Sequence, residues 1–248
     1  MTTPPHRPDD VTPGGDPEFH HDDFEAVPPA PRDEERRAAH LAHLVELLGE
    51  EVAVASEEVS TGVELDVHVF APTPENPWVT LVTCGMSDHP MPVPGTEGTE
   101  LLELLIALPP GWPGLDPVDA DLLEDERNYW PMRLLKEIAL IPSSYDAYLG
   151  WGHSLTSEDG EPYADGVPFT GAMIGPPYSL PPAIMEVATP SGTVRVLAVL
   201  PLTPEELDLK VSVADGGTIL LDRFWEAGIG AVLDPQRQSV AERDRGRP

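Results

Sequence analysis

The chain has 248 residues, a length that suits one domain, or one domain with tails. It carries 44 Asp and Glu against 14 Lys and Arg, a formal net charge of −30. Because neutralising phosphates requires clustered cations, this charge argues against nucleic-acid binding, and equally against docking on an anionic membrane. With 40% hydrophobic residues the chain can still build a core, despite its 31 prolines.

Cysteine usage and hydropathy predict a cytoplasmic protein. Cys84 is the only cysteine, so it cannot form an internal disulfide, which fits a reducing compartment. The first residues (MTTPPHRPDD) lack the apolar stretch of a secretory signal, and no run approaches the roughly 18 to 20 apolar residues of a membrane span.

Composition predicts two disordered tails around one folded domain. Residues 1–31 hold eight prolines and seven acids against one Arg, with too few large apolar residues to repay the entropy of ordering. Residues 237–248 hold four Arg against two acids and lack apolar periodicity. The folded domain is therefore expected at 32–236.

Hydrophobic periodicity predicts a helix followed by two strands. Segment 33–49 has helical spacing, with Gly49 as its stop. Segment 63–70 alternates apolar and polar residues, which is typical of a half-buried strand, and segment 78–84 (WVTLVTC) suits a central strand. The apolar residues that define the helical stripe are Leu41, Leu44, Val45 and Leu48.

Segment 100–108 (ELLELLIAL) is ambiguous by period, but its length and flanking Gly and Pro favour a strand. A helix is expected from Pro131, where a missing N–H costs nothing near the first position, and Pro142 should end or kink it. Segment 193–200 (TVRVLAVL) is predicted to be another strand.

Two further helices follow near the C-terminus. Thr203 and Glu206 form a capping box, the strongest local signal in the chain. A last helix is expected near 218–227, with Gly228 as its C-cap. Because strands adjoin one another and helices are few, the predicted fold class is α+β: a single domain with a mixed, largely antiparallel sheet flanked by helices.

No phosphate-binding loop is present, since the sequence contains neither GxxxxGK[ST] nor GxGxxG between a strand and a helix. Cys84 and Ser87 are possible nucleophiles for a hydrolase, with His89 or His153 as the base. Consecutive residues cannot all converge on one reacting atom, however, and a triad draws on distant segments. The favoured interpretation is a turn in which Ser87 or Asp88 bonds nearby backbone N–H groups.

Neither a metal nor a cofactor is predicted. The cluster His20-His21-Asp22-Asp23 lies in the expected tail, while Cys84 with His89, and the isolated His68 and His153, lack the spacing of metal ligands. The acids at 116–126 lack the glycine and terminal Glu of an EF-hand, so a solvated loop is expected there.

Residues 38–126 contain 18 Asp and Glu but no Lys or Arg. Such a stretch either serves solubility or forms a face for a basic partner, which charge complementarity would attract. Both interpretations remain open at this point, and the charge does not say which partner.

Several motifs occur in the order found in the suppressor of fused family, and the chain resembles its bacterial single-domain members over roughly residues 60–230. The matching stretches are Trp78 to Asp88 (WVTLVTCGMSD), Glu100 to Leu108, Pro110-Gly111-Trp112, Trp130-Pro131 with Leu134-Leu135, Gly152-His153, Thr189-Pro190-x-Gly192, Thr203 to Leu207, and Gly216 to Leu221.

The resemblance implies a non-enzymatic protein-binding domain. Animal relatives clamp an extended peptide of a transcription factor in a strand-like mode, and bacterial relatives are in part immunity proteins that neutralise toxins. The Arg-Tyr pair and the Asp that contribute to peptide capture in animals are replaced here by Leu140-Ile141 and Gly152, so those contacts do not carry over.

The resemblance therefore predicts a module that binds a protein partner, such as a basic toxin domain, and acts by occlusion. Its candidate binding residues are Gly85, Ser87, Asp88, Gly152 and His153, although turn-forming roles explain the same residues. Two alternatives remain: the hydrolase, and a scaffolding protein that acts through its Pro-rich tail. The oligomeric state cannot be predicted.

Overall fold

The computed structural model describes residues 30–58, 64–145, 147–157 and 160–241. The helices are α1 (Glu34–Leu48), α2 (Glu126–Tyr145), α3 (Pro204–Ser212) and α4 (Gly216–Ala227). The strands are β1 (Glu51–Glu58), β2 (Glu64–Phe70), β3 (Val79–Cys84), β4 (Met91–Pro92), β5 (Thr99–Leu108), β6 (Ser154–Thr156), β7 (Gly171–Gly175), β8 (Glu186–Thr189) and β9 (Gly192–Leu202).

Within the described ranges, the strands form one sheet in the order β1-β2-β3-β5-β9-β7-β6, with β4 paired to β5 and β8 paired to β9. The central pair β5–β9 is parallel, and the other pairs are antiparallel. The predicted mixed, largely antiparallel sheet flanked by helices is confirmed.

The sheet separates two apolar cores because successive strand residues point to opposite faces. On one face, Leu81 and Ile106 pack with Trp130 and Leu134 of α2. On the other face, the strands pack against α1 and α4 in a second core that contains Leu44, Leu48, Val82, Leu105, Leu220 and Phe224.

Helix α2 begins earlier than the sequence predicted. Asp125 accounts for this, because its backbone oxygen accepts from Asn128 N and Tyr129 N and its side chain accepts from Arg127 N at 3.0 Å. Both Pro131 and Pro142 lie inside the helix. The prediction that α2 begins at Pro131 was therefore wrong, and Pro142 does not end it.

Two residues beyond the predicted domain end at residue 236 also contact the fold, while that end itself stays a prediction. Arg237 forms an ion pair with the buried Glu206 at 2.6 Å, and its guanidinium lies 5.0 Å from the ring centroids of Phe169 and Phe224. Val240 N donates to the same Glu206 carboxylate. Because burial of a carboxylate requires a charge partner, Arg237 stabilises Glu206 inside the fold. Residues 1–29 and 242–248, which make up most of the two predicted tails, lie outside the described ranges.

Candidate functional site

The turn that follows β3 is organised around one buried carboxylate. Glu103, on β5, is completely buried. Its Oε1 accepts from Gly85 N at 2.9 Å, Ser87 N at 3.0 Å and Ser87 Oγ at 2.7 Å, while its Oε2 accepts from Thr83 Oγ1 at 2.6 Å. Because a buried carboxylate needs such donors, Glu103 and the turn residues hold each other in place.

Asp88 closes the turn on its other side through two arginines of α1. Its Oδ2 accepts from Arg37 Nε at 2.8 Å, and its Oδ1 lies 3.7 Å from Arg36 Nη1. Arg36 Nη1 also donates to the Ser87 carbonyl at 2.6 Å. Both arginines and Asp88 are less than a tenth exposed, so these contacts tie the N-terminus of α1 to the turn.

Gly85 is required at this position by space and by conformation. Its φ is +124°, and a Cβ there would lie 2.5 Å from the Glu64 carbonyl oxygen and 2.6 Å from Arg37 Nη2. The motif Gly85-x-Ser87-Asp88 therefore forms a turn, as the favoured interpretation of the sequence expected. The bonding partners differ from that interpretation, because Ser87 Oγ donates to Glu103 and Asp88 accepts from Asp33 N and Arg37, which are distant in sequence. A direct binding role for Gly85, Ser87 and Asp88 stays a prediction.

A cavity of about 300 Å³ lies beside this turn, between α1 and α2. Arg32, Arg37, Met86, His89 and Ser143 are among its lining residues, whereas Cys84 and Ser87 are not. The cavity therefore does not give a substrate access to either predicted nucleophile.

The local chemistry also disfavours the hydrolase alternative. The Ser87 hydroxyl donates to a carboxylate, not to an imidazole. Burial, reinforced by the charge of Glu103, raises the pKa of the Cys84 thiol, which disfavours the reactive thiolate. Neither side chain has the activated geometry that covalent catalysis requires.

Gly152 and His153 lie in a second region, the loop of residues 147–153 that leads into β6. Gly152 has φ +88° and donates from its N–H to the Ile174 carbonyl at 2.8 Å. The His153 ring packs edge-on against Tyr148, with the centroids 5.6 Å apart, and its Nδ1 accepts from Gly150 N. Beside them, Trp151 is 46% exposed.

The two predicted halves of the site are linked through β4 and β5. Leu149 N donates to Met91 Sδ at 3.3 Å, and the Tyr148 hydroxyl donates to Glu100 Oε2 at 2.7 Å. Arg195 pairs with the other oxygen of Glu100. The structure thus connects the regions through intervening residues. Gly85 and Asp88 are buried and line the cavity, whereas Gly152 and His153 are partly exposed.

In the part of the chain that the structure describes, no three His, Cys, Asp or Glu side chains are grouped so as to hold a metal ion. The cluster of residues 20–23 lies outside that part. Within the same described ranges, none of the helices combines the length and apolar composition needed to cross a bilayer.

The family model described as suppressor of fused protein (SUFU) matches residues 61–238. None of the curated protein sequences matches the chain.

Three similar solved structures share the fold. A SUFU homologue from Neisseria gonorrhoeae has 18% identity and a TM-score of 0.56, over 84% of this chain and 98% of that one. The Sufu–Fu complex has 14% identity and a TM-score of 0.54, over 86% and 93%. Drosophila Suppressor of Fused has 14% identity and a TM-score of 0.52, over 90% of this chain and 54% of that one.

Proposed function

Because this chain belongs to the suppressor of fused family, we propose that it is a non-enzymatic protein-binding module. The observation that carries the proposal is the exposed Trp151 in the loop of residues 147–153, beside Gly152, His153 and the strand β6 at the end of the sheet. One similar structure is itself a complex, of Sufu with Fu.

Strand β6 offers a route for backbone recognition. It pairs with β7 on one side and ends the strand order on the other. An edge strand can accept an extended segment of a partner, whose main chain adds to the sheet while side chains give specificity. Trp151 supplies the large amphipathic side chain that often anchors such contacts.

The finer proposal concerns the partner, a basic protein such as a toxin domain that the chain neutralises by covering its active surface. Its support is the exposure of acids in residues 38–126, including Glu46, Glu75, Glu97 and Asp121. Opposite charges speed encounter and reject acidic competitors. We place this activity in the cytoplasm, on the ground that Cys84 is a single, free thiol.

Affinity capture from the native host tests the proposal, with the tagged full chain as bait and mass spectrometry for identification. We expect one basic partner whose recovery drops at least about tenfold with the Trp151→Ala variant, as for an interface hot spot. Val213→Ala, which removes a 39% exposed apolar side chain elsewhere, is the matched control.

Three results would each contradict one part of the proposal. Recovery that Trp151→Ala leaves unchanged would remove the loop of residues 147–153 as the binding surface. Recovery that is equal at low salt and at about 0.5 M salt would remove the electrostatic part, because the Debye length falls several-fold over that range. The toxin assignment fails if co-expression of the chain does not rescue growth of cells that produce the captured partner.

A further inference from the structure

An aromatic pair is exposed on the surface of the C-terminal part of the chain. Trp225 of α4 is 68% exposed, and Tyr178, in the segment after β7, is 39% exposed. Their ring centroids are 5.2 Å apart, with the planes at 63°. Exposure of so large an apolar area is typical of interaction surfaces, because burying an indole ring is strongly favourable.

The position of Tyr178 is fixed by its backbone. Its carbonyl accepts from Ala231 N at 2.7 Å, and Ser179 has φ +80°, a left-handed conformation that residues other than glycine seldom adopt. Gly230 permits this packing, since a Cβ there would lie 2.3 Å from Ser179 Oγ and 2.7 Å from the Tyr178 carbonyl oxygen. The tyrosine is therefore presented by a preformed turn, so little ordering is needed on binding.

The surface around the pair is negative. Asp222 lies one helical turn before Trp225 on the same face of α4, and Glu226 follows Trp225; both are exposed. Arg223 is engaged by the Val240 and Ala241 carbonyls, and Lys210 is 2% exposed. The exposed acids of α3, α4 and the flanking turns are Glu205, Asp208, Asp215, Asp222, Glu226 and Asp234.

We propose that Trp225 and Tyr178 form a docking site for an arginine or lysine side chain of the protein partner. A guanidinium or ammonium group is attracted by the faces of aromatic rings, and the carboxylates of Asp222 and Glu226 add charge complementarity. The inference rests on the proposed function for the nature of the partner, a basic protein. It adds a second contact region, built from other elements than the loop of residues 147–153.

Nuclear magnetic resonance on the isotope-labelled full chain tests the site directly. The probe is the peptide acetyl-Gly-Arg-Gly-Arg-Gly amide, and its control is the same peptide with citrulline in place of arginine, which keeps the shape but removes the charge. We expect the indole N–H resonance of Trp225 to shift saturably with the arginine peptide, while that of Trp151 stays in place.

Variants define the contributions of the neighbouring groups. Tyr178→Ala should weaken peptide binding about two- to fivefold, the range of an exposed cation–aromatic contact. Asp222→Asn should weaken it by up to about fivefold, the range of an exposed ion pair. Trp151→Ala should leave the peptide affinity unchanged. All three positions are exposed or partly exposed, so the circular dichroism spectrum of each variant should match that of the parent chain.

Several outcomes would overturn the proposal. Equal shifts of Trp225 and Trp151 would show that the peptide does not select this site. Equal binding of the citrulline peptide would show that the site does not recognise the charge. A shift of the Trp225 resonance after truncation following Ala241, without peptide, would assign the site to the chain's own C-terminal arginines. A dimer in sedimentation that Trp225→Ala abolishes would assign it to a second copy. None of these outcomes bears on the capture test with Trp151→Ala, so the two proposals fail separately.

Discussion

Replacement of Glu103 by leucine tests whether the turn after β3 is held from within the fold. The leucine side chain has no acceptor, so Gly85 N and Ser87 N would both remain buried without a partner. An unsatisfied buried donor costs about 1–3 kcal/mol, which gives about 2–6 kcal/mol for the two.

Two effects reduce this cost. The hydroxyl of Thr83 retains the Leu104 carbonyl at 3.3 Å as an acceptor, and the substitution removes the desolvation penalty of a buried charge. We therefore expect the free energy of unfolding to fall by about 3 kcal/mol for Glu103→Leu. Glu103→Gln keeps one acceptor oxygen and most of the shape, so a loss of about 1–2 kcal/mol is expected.

Urea denaturation followed by circular dichroism measures both changes from the midpoint at constant slope. Glu97→Gln is the control, because Glu97 is exposed and its substitution should stay within about 0.5 kcal/mol. A loss below about 1 kcal/mol for Glu103→Leu would contradict the reasoning, since it would mean that water or rearranged groups satisfy the two N–H donors as well as Glu103 does.

Three further predictions concern titratable groups. Because burial raises the pKa of Cys84, a thiol reagent should label the native chain slowly and the denatured chain at once; rapid labelling of the native chain would contradict this. Burial lowers the pKa of His40, so its contribution to stability is present above about pH 6.5 and is lost as the pH falls. The variant His40→Leu should therefore flatten the dependence of the urea midpoint on pH below about pH 6.5. An unchanged slope in that variant would contradict the role of His40. Burial and the hydrogen bond to Glu100 raise the pKa of Tyr148 to about 12. Its stabilising contribution should therefore be lost between about pH 10 and that value, and Tyr148→Phe should remove one late phenolate transition from an absorbance titration.

The helices and strands that the sequence predicted correctly are those determined by residues close to one another in the chain. The alternation in 63–70 gave β2 (Glu64–Phe70), and Gly228 does adopt the left-handed conformation that ends α4. Thr203 N donates to Glu206 Oε2 at 3.0 Å, as the capping box predicts. In each case the residues that determine the structure lie within a few positions of one another.

Two of the strands that the sequence prediction missed, β6 and β7, are positioned by pairing within the sheet. Strand β6 has three residues and β7 begins and ends with glycine, so neither has a strong pattern of its own. Strand β7 pairs with β9 from Gly171 opposite Leu202 to Gly175 opposite Ala198, and β6 in turn pairs with β7. Only the register of the whole sheet identifies such strands.

The candidate site likewise combines features that local sequence signals indicate with contacts between residues that are distant in sequence. A charged residue in the apolar run ELLELLIAL signals a buried group that needs partners, so the importance of Glu103 was open to inference from the sequence. Its partners Gly85 and Ser87 lie 18 and 16 residues away, in the turn after β3. No local sequence pattern predicts that this turn contacts Glu103. Trp225 lies outside the buried face of α4, which carries Leu220 and Phe224, and this position by itself indicates an exposed aromatic residue.

The fold also separates the acids of residues 38–126 into two groups with different consequences. Asp66, Asp88 and Glu103 are engaged inside the protein, where Arg37 or the turn after β3 satisfies them. These charges contribute little to long-range attraction, because their partners neutralise them or the protein encloses them. Attraction of a basic partner must come from exposed carboxylates such as Glu97 and Asp121, which salt screens efficiently. Added salt should therefore reduce the rate of partner association. The same salt should leave the stability of the network around Glu103 nearly unchanged. A salt titration that follows both quantities separates the two roles of negative charge.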